Sequence, residues 1–526
     1  MLRCPRWLLL GLAMLAAAPS GAMAQNLTMG LGSPVSSLDP HYHLLRSNGE
    51  VGQMLFDTLL TTDAKARLHP GLAESWRPVG TEAWEFTLRE GVRFHDGTPL
   101  LAEDIAFTFG RILQVRGPGA SYSTHIRPVS RVEIVNERQL RLHTNGPAPL
   151  LPTYLSQVLI LSRRLHADAT TADFNSGKVA IGTGPFRLAS YAAGDRISLI
   201  RNEQYWGERQ HWANVTYRMI TNDAARSAAL LAGDIDFIDQ VPTTDLDRFR
   251  ADPRFRLAET TSLRVMYVTL DGTRPPPVPL LSAANGRSLD ANPLADLRVR
   301  QALAMAIDRQ MLVDRVMQGA ALATTQFMPP GAYSALPDRP VPAADPEGAR
   351  SLLAQAGYPQ GFGLTLIGSN DRYMNDARIV QALGQMWSRI GVRITVEAQP
   401  YAVFINRATR REAPAALLTW GNSTGEVSVL LNSVLRTPNR EAGHGAANRL
   451  LYSNPAMDGL VAGAEVEMDE ARREDLLRRA SLAALDDAML VSLYLQKALW
   501  AMRADLTYDA RMDERNDPTA VRPAAR

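Results

Sequence analysis

The sequence predicts a mixed α/β protein of two or three domains, on three observations. The chain has 526 residues, more than one ordinary domain holds. Its first half alternates apolar and polar residues with period two between turn signals. Its second half passes repeatedly from helical to strand periodicity.

In the first half, Glu85-Phe86-Thr87-Leu88-Arg89 alternates, then turns at Glu90-Gly91 into Val92-Arg93-Phe94 and the turn His95-Asp96-Gly97-Thr98-Pro99. Residues 132–135 and 139–142 read as two strands around Asn136-Glu137, and 197–200 as another, so short antiparallel elements are expected. In the second half, Asp296 caps a predicted single helix with apolar positions from Val299 to Met317, ending at Gly319. Residues 345–357 and 379–390 repeat the helical period, each followed by a strand, at 364–367 and 392–396. Residues 469–488 read helical ahead of the apolar strand 490–495, the order of an α/β lobe. After Asp505 the chain turns polar and proline-containing, which predicts a loosely held tail.

At the start, Arg3 and Arg6 precede the apolar run 7–18, Pro19 and Gly21 break it, and Ala22-Met23-Ala24 offers a small-x-small site. This is the pattern of a secretory signal peptide, residues 1–24, cleaved before Gln25. The apolar run falls short of the roughly 20 residues a spanning helix needs. Cys4 is the single cysteine and precedes the apolar run, so lipid anchoring at a cleavage-site cysteine is not expected. The mature chain then has no thiol for a disulfide, a thiolate metal site or a nucleophile. Formal charge is +2, and Arg3 and Arg6 account for it, leaving the mature chain balanced. That excludes the basic stripe of a nucleic-acid binder.

The most distinctive block runs from Trp84 to Asp104 through Val92-Arg93-Phe94-His95-Asp96-Gly97-Thr98-Pro99. Five shorter ones accompany it: Ser37-Leu38-Asp39-Pro40, Gly182-Thr183-Gly184-Pro185-Phe186, Asn202-Glu203-Gln204-Tyr205-Trp206-Gly207, Gly233-Asp234-Ile235-Asp236-Phe237 and Val299-Arg300-Gln301-Ala302-Leu303. On these six blocks the chain resembles the extracellular solute-binding proteins of the peptide and nickel class, which serve ABC importers of oligopeptides, dipeptides and glutathione. The resemblance implies a two-lobed periplasmic-binding-protein fold with mixed sheets and a ligand cleft between lobes that close over the solute. It implies lobe one from residues 25–265 plus 497–526, with the family's extra subdomain, and lobe two from 266–496. Crossings would fall near 266–270 and 496–502. The implied function is periplasmic capture of a short peptide or peptide-like solute, glutathione-type included, for an inner-membrane ABC permease. A monomer without cofactor or nucleic-acid partner is expected. The signature block itself is expected to be core and turn, His95-Asp96-Gly97 suiting a tight turn.

A peptide brings a carboxylate and an ammonium into the cleft, and each needs a partner there. Arginine suits the carboxylate through its two-pronged geometry. In dipeptide-binding members an Arg-Tyr pair ahead of a lobe-two helix takes it, and the resemblance places Arg372 and Tyr373 there. For the ammonium, those members carry an Asp three residues after a Gly-Trp or Ser-Trp pair. Here the pair is Thr419-Trp420 and the third residue on is Ser423, with Glu426 at a second acidic position. The run 423–426, next to Asn422, looks like the variant of glutathione-binding members. Ser423 cannot ion-pair an α-amine, which puts a simple dipeptide in doubt. His41, Tyr42 and Arg46 are further contacts implied from lobe one, and Arg264 and Tyr267 lie beside the first crossing.

Two other readings come from the residues alone. Gly421-Asn422-Ser423-Thr424-Gly425 fits the nucleophile elbow of a serine hydrolase, but the only downstream histidine, His444, is too close in sequence for that arrangement. His41-x-His43 has a spacing that two metal ligands on a strand could use, without further ligands nearby, so no metal is expected. A third reading, a peptide-holding chaperone, differs from a receptor only in lacking preference among segments.

Overall fold

Two long strands organise the molecule, Phe255–Leu270 and Leu490–Arg503. They pair antiparallel from Phe255 opposite Arg503 to Thr269 opposite Leu490, at the centre of a 12-stranded mixed sheet. The computed structural model describes residues 26–118, 121–337 and 339–525. The expected signal peptide 1–24 and its cleavage point before Gln25 lie outside the described residues. To one side of the central pair the sheet continues through Ala415–Gly421, Phe362–Ser369 and Leu281–Ala283. To the other it continues through Phe237–Ile238, Asn26–Leu31, Asn214–Met219, Arg196–Arg201 and Phe186–Ala192.

The central strands serve separate cores along their length, which makes the fold two-lobed. Met266, Val268 and Leu493 pack with Trp387, Leu303 and Leu383. Trp500 and Met502 pack instead with Trp212, Phe237 and Tyr217. Between these regions the ladder slips, between Thr261 and Val265. Arg264 there pairs with Gly421 of the neighbouring strand, while Ser262 Oγ donates to Gln496 O at 2.8 Å. An irregularity of this kind re-aims side chains, and Arg264 comes to line the space between the lobes.

A separate four-stranded sheet, Ala73–Pro78, Ala83–Leu88, Gln139–Thr144 and Val129–Asn136, carries the signature block. Trp84, Phe86 and Phe94 are in its core. His95 is buried, its Nε2 3.0 Å from Gly184 O and its Nδ1 accepting from Gly182 N at 3.2 Å. Burial brings its imidazole down to about 4, so the ring is neutral. The glycines that meet it are needed for close approach: a Cβ on Gly182 would lie 2.0 Å from Leu55 O.

The strands read at 85–89, 132–135, 139–142, 364–367 and 392–396 all form, as do the helices Pro346–Gln355, Asp376–Arg389 and Glu470–Asp486. Asp345 and Asp469 cap theirs through their side chains. Three expectations need correction. The helix expected over 296–319 is split: Leu297–Met305 ends, and Asp308 restarts the chain by accepting from Met311 N at 2.9 Å. Buried Arg309 fixes the break by donating Nε to Ser492 O at 2.9 Å. The first half is not purely antiparallel, since Asn26–Leu31 pairs in parallel with Asn214–Met219 and with Phe237–Ile238. The segment after Asp505 is not loose. Val521 and Tyr508 are buried, Trp212 Nε1 donates to Val521 O at 2.9 Å, and Trp500 Nε1 to Asn516 Oδ1 at 2.8 Å.

Candidate ligand-binding cleft

A cavity of about 300 Å³ opens where the slipped central strand, the helix Arg46–Leu55, the Asn422-Ser423 turn and the C-terminal segment 512–515 meet. That is the small end of the range for ligand cavities. The lobes also touch around it. Gln157 Nε2 reaches Ser423 O at 3.4 Å, and a Cβ on Gly425 would lie 3.1 Å from Ala66 O.

Beside the Asp513–Arg515 pair at 3.3 Å, the cavity carries a second charged array centred on Glu514. Arg264 donates to Glu514 through Nε at 3.0 Å and Nη2 at 2.9 Å. Arg46 approaches the same carboxylate at 3.4 Å and donates to the Glu514 carbonyl. Burial alone would raise the Glu514 carboxyl, but Arg264 and then Arg46 outweigh it and hold it at about 2. Glu50, one turn along from Arg46, behaves oppositely. Burial lifts its carboxyl to about 7 against the pull of Arg46, whose Nε is 3.7 Å away. Glu50 Oε2 accepts from Asn516 at 3.0 Å, whereas Oε1 has no hydrogen-bond partner. On the far wall His125 stacks on Tyr154 at 5.3 Å, its Nε2 buried without a hydrogen-bond partner, and burial brings the ring down to about 4.

Of the residues singled out in the sequence, Arg46, Arg264, Asn422 and Ser423 line this cavity. Asn422 is committed to its own turn, its Oδ1 accepting from Thr424 N at 2.8 Å and its Nδ2 donating to Glu426 O. The others lie elsewhere. Arg372 is exposed, with its guanidinium 5.3 Å from the Tyr401 ring, and Tyr373 meets that ring edge-on. Their loop is shaped by Asp376, which accepts from both backbone N–H groups at 3.1 and 3.0 Å. Glu426 is buried in an ion pair with Arg473 and also accepts from Ser428. Trp420 is half-buried against the lobe-two core, its Nε1 without a hydrogen-bond partner. Tyr267 is buried in the same core. His41 is buried, its Nε2 2.9 Å from Leu159 O and its Nδ1 3.1 Å from Arg111. Arg111 in turn grips Asp39 at 2.9 and 2.8 Å. Tyr42 is half-buried outside the cavity. Among the described residues, no three or more His, Cys, Asp and Glu side chains are grouped to hold a metal.

Glu50, His125 and Glu514 escaped the sequence reading. The i, i+4 pairing of Arg46 with Glu50 was visible in the sequence, but nothing local marks Glu514 as part of a cleft.

Residues 67–441 match the family model for bacterial extracellular solute-binding proteins, family 5 middle. The chain belongs to this family. Among similar proteins, heme-binding protein A of Haemophilus influenzae is 26% identical, covering 80% of this chain and 78% of its own. Periplasmic oligopeptide-binding protein OppA of Salmonella typhimurium is 25% identical, covering 89% and 87%. Glutathione-binding protein GsiB of Salmonella paratyphi A is 25% identical and covers 95% of each chain. Two solved structures share the fold at 21% identity. HbpA2 from Haemophilus parasuis has a TM-score of 0.80 over 95% of this chain and 100% of its own. DppA from Helicobacter pylori, in complex with the peptide STSA, has 0.73 over 95% and 98%.

Proposed function

We propose that this family 5 protein is the periplasmic receptor of an ABC importer, closing its lobes over a short peptide-like solute and presenting the closed form to an inner-membrane permease. One observation carries this reading: the cavity is walled at once by Arg46 and His125, by Arg264 on the crossing strand, and by the Asn422-Ser423 turn. A solute held there touches both sides, so binding and closure become one equilibrium. The mixture of guanidinium and carboxylate groups suits a solute with charge at both ends. Relatives named for oligopeptides and glutathione support that class. Export through the signal peptide 1–24, cleavage before Gln25 and action as a monomer complete the proposal.

The reading is of a receptor and not of an enzyme. His444 sits in a two-way backbone pairing with Asn439, and Ser423 O accepts from Gln157 Nε2 at 3.4 Å. The test is thermal denaturation of the mature protein with dipeptides, tripeptides and glutathione. A true solute at a hundredfold excess over Kd stabilises by about 2.7 kcal/mol. No stabilisation by any of them would overturn the reading, and equal stabilisation by unrelated unfolded segments would favour a chaperone. Labelling of Ser423 by a fluorophosphonate would favour the hydrolase.

A further inference from the structure

Of the three arginines that line the cavity, Arg515 is paired with Asp513, while Arg46 and Arg264 are suited to a solute carboxylate. Both already face one, that of Glu514, and Arg264 engages it with two prongs. This carboxylate is not a flexible side chain that happens to swing in. Its own backbone has φ +61°, unusual for a residue other than glycine, and the flanking residues brace it on both sides. Arg511 donates to Thr62 O and Asp63 O at 3.0 and 3.1 Å. Met512 O accepts from Leu263 N at 3.0 Å. Asn516 is held by Trp500, Glu50 and Asp239.

We propose that Glu514 is a resident carboxylate occupying the carboxylate site of the cleft, and that it sets the charge selectivity of the cavity against acidic solute groups. The proposal rests on the reading of this cavity as the solute site. Glu514 already takes both prongs of Arg264, so an arriving carboxylate must displace it or sit beside a like charge, which weakens its binding. Removing the Glu514 charge therefore favours an acidic solute over a basic one.

The test uses Glu514→Ala and Glu514→Gln in the full mature chain. Melting is followed while sodium acetate is titrated against sodium chloride at equal ionic strength. Acetate is expected to stabilise either variant saturably, and to do nothing for the wild type or for Arg264→Ala combined with Glu514→Ala. In parallel, Glu514→Gln is expected to gain about tenfold in affinity for glutamyl-glutamate over lysyl-lysine, relative to wild type. If neither the acetate response nor the dipeptide preference changes, Glu514 is only a structural tie and the proposal is overturned. Should the alanine variant not fold, the glutamine variant decides by the same two readouts. If acetate acts as expected while no dipeptide binds any form, the carboxylate site stands and the peptide-receptor reading has failed instead.

Discussion

Arg264 and Glu514 form a two-pronged ion pair at 3.0 and 2.9 Å across 250 positions of sequence. The pair joins the slipped central strand to the C-terminal segment. Its worth depends on pH in a defined direction. The Glu514 carboxyl lies at about 2 when folded, against an ordinary 4.5. The stabilisation is therefore fully present above about 4.5 and is lost as pH falls from there toward 2. Glu514→Gln is expected to be about 3 kcal/mol less stable than wild type at neutral pH, with the difference closing below pH 4.5. Urea midpoints across pH check this, and a gap that persists at acid pH would refute it.

Glu50 predicts the opposite slope. Its folded carboxyl lies at about 7 against 4.5, so between those values the folded protein holds a proton that the unfolded chain has released. Stability falls as pH rises through this window. Glu50→Gln, which carries no charge to bury, is expected to exceed wild type above pH 7 by up to about 3 kcal/mol. Below pH 4.5 the two should match.

Gly421 and Arg372 separate two accounts of the carboxylate site. A methyl carbon on Gly421 would lie 3.1 Å from both Nη atoms of Arg264, and the guanidinium, being the end of a flexible side chain, would move. Gly421→Ala is expected to keep stability within about 1 kcal/mol and to change solute affinity about tenfold. Arg372→Ala, which the family pattern expects to abolish binding, is expected from its exposed position over Tyr401 to leave affinity unchanged. Calorimetric titration of both variants with a solute found by thermal shift decides between them.

Removing the chain after Asp505 tests the tail. It strips Val521 and Tyr508 from the lobe-one core and leaves the Trp212 and Trp500 indole N–H groups without their partners. Burying two such side chains is worth about 1.5–3 kcal/mol each, so the truncated protein is expected to melt well below the full chain or to aggregate. A truncation with unchanged melting would show the segment to be dispensable.

The sequence by itself determined the family, the mixed α/β class and most strands and helices, because those follow from local periodicity, capping residues and contiguous blocks such as Trp84 to Asp104. It also gave reason to name Arg46, Arg264 and Ser423, which line the cavity described above. Only the tertiary structure decided which charges share that space. Arg372 and Glu426 stand in suggestive patterns, and the fold sets Arg372 over the Tyr401 ring and pairs Glu426 with Arg473. Glu514 stands in a stretch that reads as loose tail, yet it sits between two arginines of the cleft. The physical reason is that an ion pair is specified by distance in space. Periodicity reports which face of an element is buried, but the slip at Thr261–Val265 and the return of the C-terminal segment bring residues hundreds of positions apart within 3 Å.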